Sequence, residues 1–307
     1  MKKESFVFVS PADGTPIHAV RYLPDTAPVA VLQIAHGMCE FFERYEDFAR
    51  FLTAAGYVVV GNDHRGHGGS AAAENYGYFA ATDGNDALLA DLFELTRLTK
   101  ETYPDLPYFL MGHSMGSFYA RQYLYTYDTP LAGAIVMGTG HQPRALVEAG
   151  RLLTRIGMLV RGDRYRWKLV NDMAFGGYGK AFSPARTAYD WLSKDEAMVD
   201  AYVQDPRCGF MFTLNGYHAM FTGISRLHDR RRLERMPKTL PVLFVSGADD
   251  PVGDFGKGVA AAAESFRRVG MQQVEVKLYE TDRHEILNET DRETVYADLL
   301  AWLEAHR

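Results

Sequence analysis

The sequence YFLMGHSMG, at Tyr108–Gly116, is an apolar run that ends in a G-x-S-x-G pattern. The run Tyr108–Met111 predicts a buried strand, and a helical pattern follows over Gly116–Tyr127. G-x-S-x-G also occurs by chance, but between a strand and a helix it indicates a nucleophile elbow, in which a sharp turn lifts a serine hydroxyl above a sheet. We therefore predict that Ser114 is a nucleophile.

Further apolar runs on both sides of this stretch predict the rest of a sheet. The predicted strands are Ser5–Val9, Ile17–Leu23, Val29–Ala35, Tyr57–Gly61, Tyr108–Met111, Ala134–Met137, Pro241–Val245 and Val274–Tyr279. The first two alternate around the turn signal Asp13-Gly14 and predict a hairpin, whereas short runs without alternation are typical of strands buried on both faces of a parallel sheet. Helical patterns lie between the later strands, at Tyr45–Ala55, Asp83–Thr102, Gly116–Tyr127, Gly258–Val269 and Thr290–His306. The alternation predicts an α/β fold with a mostly parallel central sheet flanked by helices.

The alternation stops between residues 140 and 227. This segment has helical patterns at Ala145–Val160 and Ala185–Leu192 and no run that predicts a strand. Connections in compact domains are usually only a few residues long, so an insertion of this length indicates a function of its own. We predict a core formed by residues 1–139 and 228–307, with residues 140–227 inserted as a helical lid above the strand ends.

The composition of the chain limits which classes of protein and which partners are plausible. The 307-residue chain is 47% hydrophobic, and its formal net charge of −6 argues against a nucleic-acid partner, which requires a basic surface. The spacing of Cys39 and Cys208 does not indicate a disulfide, so we expect free thiols in a reducing compartment. The N-terminus lacks a signal-peptide core, and no stretch approaches the roughly 20 apolar residues of a membrane helix. We expect a cytoplasmic protein.

A serine nucleophile needs a base to take its proton and an acid to orient that base. In proteins with a nucleophile elbow the chain order is Ser, then Asp or Glu, then His, each on a loop after a strand. Asp249 and Asp250 follow one predicted strand, and His284 follows the next. We predict the triad Ser114, Asp250 and His284. Asp249 is the alternative acid, and Asp250 is preferred because it lies beyond the tight bend at Gly247.

The tetrahedral intermediate of acyl transfer needs hydrogen-bond donors aimed at its oxyanion. One donor is expected to be the backbone N–H of Met115, the residue after the nucleophile. The other is expected from the loop that follows the strand ending at Ala35, where we choose the N–H of Met38. A simple turn at His36-Gly37 is the alternative interpretation of that loop.

Several motifs, the elbow among them, carry a resemblance to a known family. They are His36–Glu40, Arg44-Tyr45, Asp63–Ser70, Gly112–Gly116 and Arg283–Glu289. Together they resemble the monoacylglycerol lipase and lysophospholipase group of α/β-hydrolases, also described as serine aminopeptidase-like. The resemblance covers about Val29–Gly138 and the chain from Pro241 onward, and it leaves the insertion without a match. It implies an α/β-hydrolase fold, the same triad, and the same two oxyanion donors.

The resemblance also implies roles for polar residues near the oxyanion loop. Glu40 and Arg44 stand where the family carries a Glu and an Arg, which implies a polar bracket on the alcohol side of the substrate. The alternative is an i,i+4 ion pair at a helix start. Asp63, Arg65 and His67 are expected to hold their loop and not to take part in catalysis. The family usually has small residues after the His-Gly pair, and here Met38 and Cys39 would narrow the pocket floor.

These observations predict a serine hydrolase that cleaves carboxylic esters of lipid-like molecules through an acyl-enzyme. An amidase, a peptidase or a thioesterase with the same triad is the alternative, and a non-catalytic scaffold that binds a ligand is a third hypothesis. No zinc-like His/Cys spacing is present, so no metal or cofactor is expected. The expected partner is a small acyl ester; no obligate protein partner is evident. Basic residues in the insertion favour transient contact with an anionic membrane surface or a solvated helix face: Arg151, Arg155, Arg161, Arg164, Arg166 and Lys168.

Overall fold

A computed structural model describes all 307 residues. Its centre is a single eight-stranded sheet with the order β1-β2-β4-β3-β5-β6-β7-β8. The strands are β1 (Lys2–Val9), β2 (Pro16–Leu23), β3 (Ala30–Ala35), β4 (Tyr57–Asn62), β5 (Tyr108–His113), β6 (Gly133–Met137), β7 (Val242–Gly247) and β8 (Val274–Tyr279). The hairpin of β1 and β2 is antiparallel, and β3 to β8 run parallel to one another. The predicted strands and the mostly parallel sheet are confirmed.

Helices cover both faces of the sheet. They are α1 (Glu46–Ala54), α2 (Gly84–Thr102), α3 (Met115–Thr126), α4 (Arg144–Arg161), α5 (Lys168–Phe175), α6 (Glu196–Gln204), α7 (Leu214–Arg226), α8 (Arg230–Leu233), α9 (Lys257–Arg267) and α10 (Arg292–Ala305). Helices α2, α3 and α9 pack on one face and α1 and α10 on the other, each against apolar strand residues. Strands β3 to β7 are consequently buried along their whole length. Because parallel strands end at one edge, the loops that follow β3, β5, β7 and β8 meet there.

The edge strand β8 departs from the expectation of burial on both faces. Val276 and Leu278 are 37% and 40% exposed. Strand β8 pairs only with β7, so one of its sides has no neighbouring strand and its charged residues, among them Lys277, reach solvent. A lysine on an edge strand also discourages pairing with another chain.

The segment between β6 and β7 contains only helices and loops, α4 to α8. Helix α4 buries Val147, Gly150, Thr154 and Gly157, which recur at helical spacing along one face. That face packs closely on α7, since a Cβ on Gly150 would lie 3.0 Å from the ring of Phe221. The small residues therefore let the two long helices of the insertion approach each other.

The predicted helix at Ala185–Leu192 is wrong, because this stretch forms turns and bends. The carboxylate of Asp190 accepts hydrogen bonds from the backbone N–H groups of Arg186 (2.5 Å) and Thr187 (3.1 Å). It also accepts a bond of 2.6 Å from the Thr187 hydroxyl. An aspartate that captures nearby N–H groups competes with helix formation, and this competition explains the difference.

Candidate active site

Ser114 lies in the sharp turn between β5 and α3. Its backbone has φ 52° and ψ −119°, a strained conformation for a residue with a side chain. The surroundings hold it in place: Ser114 N–H donates to the carbonyl of Met137 (3.0 Å), and its carbonyl accepts from the N–H of Ser117 (2.9 Å). The strand-turn-helix geometry expected for a nucleophile elbow is therefore present.

The two glycines of the motif are required by close packing around the elbow. A Cβ on Gly116 would lie 2.0 Å from the carbonyl oxygen of Ala35, at the end of β3. A Cβ on Gly112 would lie 2.3 Å from the carbonyl oxygen of Gly116 itself. Any side chain at either position would push α3 away from the sheet and move the serine with it.

Asp250 and His284 meet at the ends of β7 and β8. His284 Nδ1 lies 2.9 Å from Asp250 Oδ2, and both side chains are buried. Asp250 also accepts from the Ser246 hydroxyl (3.0 Å) and the N–H of Val252 (2.9 Å), so its orientation is fixed. Asp249, the alternative acid, is exposed to solvent and makes no side-chain hydrogen bond. The structure thus pairs His284 with Asp250.

The pairing determines which nitrogen of His284 is free. A carboxylate only accepts hydrogen bonds, so Nδ1 carries the proton and Nε2 presents a lone pair. His284 and Ser114 line the same cavity, and the Ser114 hydroxyl makes no hydrogen bond within the protein. Hydrogen bonds of catalytic groups often tighten only when substrate is bound.

Both predicted oxyanion donors face this cavity. Met115 is the first residue of α3, where N–H groups have no acceptor inside the helix. The N–H of Met38 makes no hydrogen bond within the protein. The loop that carries it lies directly beside the serine, because a Cβ on Gly37 would come within 3.2 Å of Ser114 Cβ.

Glu40 uses both carboxylate oxygens inside the protein. Its Oε1 accepts from the N–H of Gly37 (2.5 Å) and the hydroxyl of Tyr45 (2.8 Å), and its Oε2 accepts from Arg44 (2.6 Å). Arg44 in turn donates two bonds of 2.7 Å to Glu285. Glu40 and Glu285 reach the cavity wall, and Arg44 lies behind them. The i,i+4 ion pair is present, although Glu40 precedes the short 3-10 helix Phe42–Tyr45 and does not lie at a helix start.

His113, beside the nucleophile, completes this buried network. Its Nε2 donates to the carbonyl of His284 (3.2 Å), and its Nδ1 faces Tyr45 (2.8 Å) and Glu40 (3.4 Å). Burial opposes the charge on His113, but the hydrogen bond and charge of Glu40 outweigh it and raise its pKa. Burial likewise opposes ionisation of Glu40, while His113 and Arg44 hold its pKa well below the usual range. Through Arg44, which pairs with both Glu40 and Glu285, the same network links the oxyanion loop to the loop of His284.

The loop after β4 is held by the residues expected to be structural. Asp63 accepts from the N–H groups of Phe42 (2.8 Å) and Gly69 (2.7 Å). Arg65 is 1% exposed and donates to Asp91 (2.6 Å). None of the residues expected to hold this loop lines the cavity.

The cavity above the elbow has a volume of about 1000 Å³. About half of its lining residues are hydrophobic, 22 of 43, and many of them belong to the insertion. The hydrophobic residues that the insertion contributes to the cavity wall include Leu146, Val147, Phe175, Trp191, Phe221 and Ile224. Cavities of this size and character accommodate small apolar ligands whose polar ends are fixed by a few groups.

Two aromatic residues near His284 were not identified from the sequence. The Trp191 ring packs on that of His284 at 5.1 Å between centroids, and Tyr178 packs on Trp191 at 5.0 Å. The N–H of Glu285 also donates to the carbonyl of Leu192 (2.7 Å), which ties this turn of the insertion to the histidine loop. Trp191 lies 93 residues before His284, and no local sequence pattern predicts a contact between residues so far apart in the chain.

No group of three or more His, Cys, Asp or Glu side chains is arranged to hold a metal ion. Both cysteines are free thiols, with Cys39 buried at the cavity wall. No helix combines the length and apolar character that crossing a bilayer requires.

Comparison with known proteins places this geometry in a family. The profile of the serine aminopeptidase S33 family matches residues 26–291. A monoacylglycerol lipase of Mycolicibacterium smegmatis is 27% identical over 292 residues, which are 93% of this chain and 91% of the relative. A monoglyceride lipase of Mus musculus is 28% identical over 306 residues, 96% of this chain and 89% of the relative.

A solved structure agrees over the whole chain. A highly thermostable carboxyl esterase from Bacillus coagulans, in complex with glycerol, superposes with a TM-score of 0.92 at 28% identity and covers 99% of both chains. The predicted resemblance is confirmed. The chain has the α/β-hydrolase fold and belongs to the serine aminopeptidase S33 family.

Proposed function

We propose that the protein is a serine hydrolase that cleaves carboxylic esters of lipid-like molecules. One observation carries the proposal: a serine on a strained elbow, a histidine paired with a buried aspartate, and two free N–H groups meet at one half-apolar cavity. Each of these groups has a task in acyl transfer, and no other arrangement in the cavity offers a second nucleophile with a base.

The reaction follows from the positions of the groups. Ser114 Oγ attacks the ester carbon as His284 Nε2 takes the hydroxyl proton, and Asp250 stabilises the imidazolium that forms. The N–H groups of Met38 and Met115 bind the oxyanion of the tetrahedral intermediate. His284 then gives the proton to the departing alcohol, which leaves an acyl-enzyme. Water deprotonated by His284 attacks the acyl-enzyme and releases the carboxylic acid and the free serine.

The substrate class rests on the cavity and on the relatives. A half-apolar cavity of about 1000 Å³ suits an acyl chain, and the polar end near Glu40 and Glu285 suits a glycerol-like alcohol. The relatives named as lipases of monoacylglycerols support a monoacylglycerol or a lysophospholipid as the type of substrate. An amide or a thioester would meet the same triad, so amidase or thioesterase activity is the alternative. Glu40 and Arg44 stay candidates for the polar bracket, acting at the cavity wall and from behind it.

We propose further that residues 140–227 act as a lid on the core formed by residues 1–139 and 228–307. This segment exposes large apolar side chains that do not line the cavity: Leu152, Ile156, Leu159, Val160 and Leu169. Arg155 and Arg161 lie beside them on α4 without an ion-pair partner. Exposed apolar residues next to free cations favour transient contact with an anionic lipid surface, from which the substrate would enter. Two free cysteines fit a reducing compartment such as the cytoplasm.

Titration with a fluorophosphonate probe tests the chemistry. We expect one equivalent of probe to attach to Ser114 and abolish hydrolysis of p-nitrophenyl esters. A scaffold that only binds ligand would not label. A panel of p-nitrophenyl esters, monoacylglycerols, lysophospholipids, aminoacyl amides and acyl thioesters then identifies the leaving group, and faster cleavage of amides than of esters would contradict the proposal.

A further inference from the structure

A second cleft, separate from the acyl cavity, has a strongly basic lining. Its volume is about 870 Å³, and no hydrophobic side chain lines it. Six arginines and two carboxylates line the cleft, which gives it an excess of four positive charges in a protein whose net charge is −6. The lining residues of this basic cleft are Arg144, Glu148, Arg151, Thr222, Ser225, Arg226, His228, Asp229, Arg230, Arg231 and Arg232.

Ion pairs neutralise only part of the positive charge of the cleft. Within the lining, Arg151 pairs with Glu148 (3.1 Å) and Arg232 with Asp229 (3.5 Å). Two further pairs use carboxylates outside the lining, those of Arg226 with Asp86 and of Arg230 with Glu234. Arg144 and Arg231 have no carboxylate within 4.0 Å. Two guanidinium groups, one on α4 and one on α8, therefore remain free to bind an anion.

A buried cation behind this region adds to its positive potential. Arg121 on α3 is 1% exposed and has no acidic partner. Its Nη1 donates to the carbonyl of Gly140 (3.0 Å), but its Nε and Nη2 have no hydrogen-bond partner. Burial and the charge of Arg121 lower the pKa of His228, which lines the basic cleft. The uncompensated guanidinium of Arg121 therefore adds to the attraction that the free arginines of the cleft exert on an anion.

The chemistry of the lining specifies the ligand. Guanidinium groups bind phosphate through paired N–H donors, and the hydroxyls of Thr222 and Ser225 add weaker donors. The absence of apolar and aromatic side chains gives no site for an acyl chain or a nucleobase to pack. The exposed apolar residues of the insertion, such as Leu159, lie outside this lining, so the cleft itself offers only polar and charged contacts.

We propose that the basic cleft binds a soluble anion that carries two or more linked phosphate groups. Because two free arginines line the same cleft, an anion with two or more phosphate groups offers one group to each of them, whereas a single phosphate has only one group to offer. The site goes beyond the proposed ester hydrolysis and does not depend on it.

Binding here would act on the walls of the acyl cavity. Helices α4 and α7 form part of both linings: Val147 and Ile224 face the acyl cavity, while Glu148 and Ser225 face the basic cleft. An anion held between α4 and α8 would therefore fix the start of α4 against the segment that leads back to the core.

Isothermal titration calorimetry with inorganic pyrophosphate and tripolyphosphate tests the site. The ionic strength is held constant with sodium chloride, because salt screens non-specific attraction. We expect saturable binding to the full-length protein. The double variant Arg144→Gln/Arg231→Gln should bind at least about tenfold more weakly, since it removes both free guanidinium groups and their charge-assisted hydrogen bonds to phosphate.

A matched control variant is available on the same segments. Arg155 lies on α4, and Arg235 lies two residues after the end of α8; both are exposed, lack an ion pair and lie outside the cleft. Arg155→Gln/Arg235→Gln removes the same charge and should leave affinity nearly unchanged. The proposal is overturned if neither phosphate compound binds saturably, if both double variants lose affinity equally, or if only vesicles containing phosphatidic acid bind through Arg144 and Arg231.

Discussion

The core and the insertion bury their apolar residues to very different degrees. Five consecutive strands of the sheet, β3, β4, β5, β6 and β7, have no exposed residue, whereas helix α4 leaves Leu152 61% and Leu159 83% exposed. A fully packed element has one low-energy arrangement, while an element with a free apolar face can meet another surface without unfolding. Ser114 and His284 therefore lie on the fully packed part of the chain, and we expect the part with free apolar surface to supply the substrate contacts.

The two regions meet at a small number of defined contacts. On one side of the cavity the turn at Trp191 and Leu192 packs and hydrogen-bonds to the loop of His284. On the other side α7 inserts apolar residues such as Tyr217 into the core cluster. The insertion is therefore anchored at both ends of the cleft, and α4, which lies over α7, is left with the exposed surface.

The largest expected effect concerns the core. Ser114→Ala should lower ester turnover on the order of 10⁴- to 10⁶-fold, because it removes the only nucleophile on the elbow and leaves the fold unchanged. Steady-state hydrolysis of a p-nitrophenyl ester and a thermal melt measure the two properties separately. A variant that retained a tenth of the activity would show that the elbow does not carry the chemistry.

The second effect separates two neighbouring aspartates. Asp250→Asn should lower kcat by about 10⁴-fold, since an amide at this position holds His284 in the wrong tautomer. Asp249→Asn is the matched control, because Asp249 is exposed and its side chain makes no hydrogen bond. We expect it to retain nearly full activity, and the opposite ranking of the two variants would exclude Asp250 as the acid.

The same contrast explains how much the sequence could predict. The strands and the elbow at Ser114 follow from short local patterns, since burial on both faces leaves a continuous apolar run. The pairing of Asp250 with His284 follows from the chain order Ser, Asp, His that accompanies such an elbow. The contact of Trp191 with His284 could not be predicted, because it joins distant parts of the chain. The helix expected at Ala185–Leu192 was wrong because one side chain, Asp190, captures the N–H groups that a helix would use.

The polar residues near the site show a further limit of prediction from the sequence. Glu40 and Arg44 were expected at the alcohol side from a resemblance alone, and their role there stays a prediction. The structure adds that Glu40 accepts from Gly37 in the oxyanion loop and pairs with His113 beside the nucleophile. Such a network depends on how three loops meet at the sheet edge, and no single motif encodes it.

The third prediction compares the stability of the two regions directly. Leu88 on α2 is 0% exposed within the main apolar cluster, so Leu88→Ala should lower the free energy of unfolding by about 2–5 kcal/mol. Leu152→Ala makes the same chemical change at an exposed position of α4 and should alter it by less than about 0.5 kcal/mol. Urea unfolding followed by circular dichroism measures both. Equal losses would mean that α4 is as tightly packed as the core.

The smallest expected effect concerns selectivity for acyl-chain length. It tests whether the insertion determines which acyl chain fits while the core performs the chemistry. Leu146 lies at the mouth of the acyl cavity, so Leu146→Trp should shorten the space for the chain. We expect the ratio of kcat/KM for palmitoyl over butyryl p-nitrophenyl esters to fall about tenfold, as steric discrimination in apolar pockets usually does. Labelling by a small fluorophosphonate should keep its rate, because Ser114 and His284 are untouched. Leu159→Trp is the control on the same helix, since Leu159 lies outside the cavity and faces solvent. If both variants shift the ratio alike, the chain-length preference arises from contact of α4 with the lipid surface and not from the cavity wall. If neither shifts it, the acyl chain lies elsewhere and the proposed division of labour between the two regions is wrong.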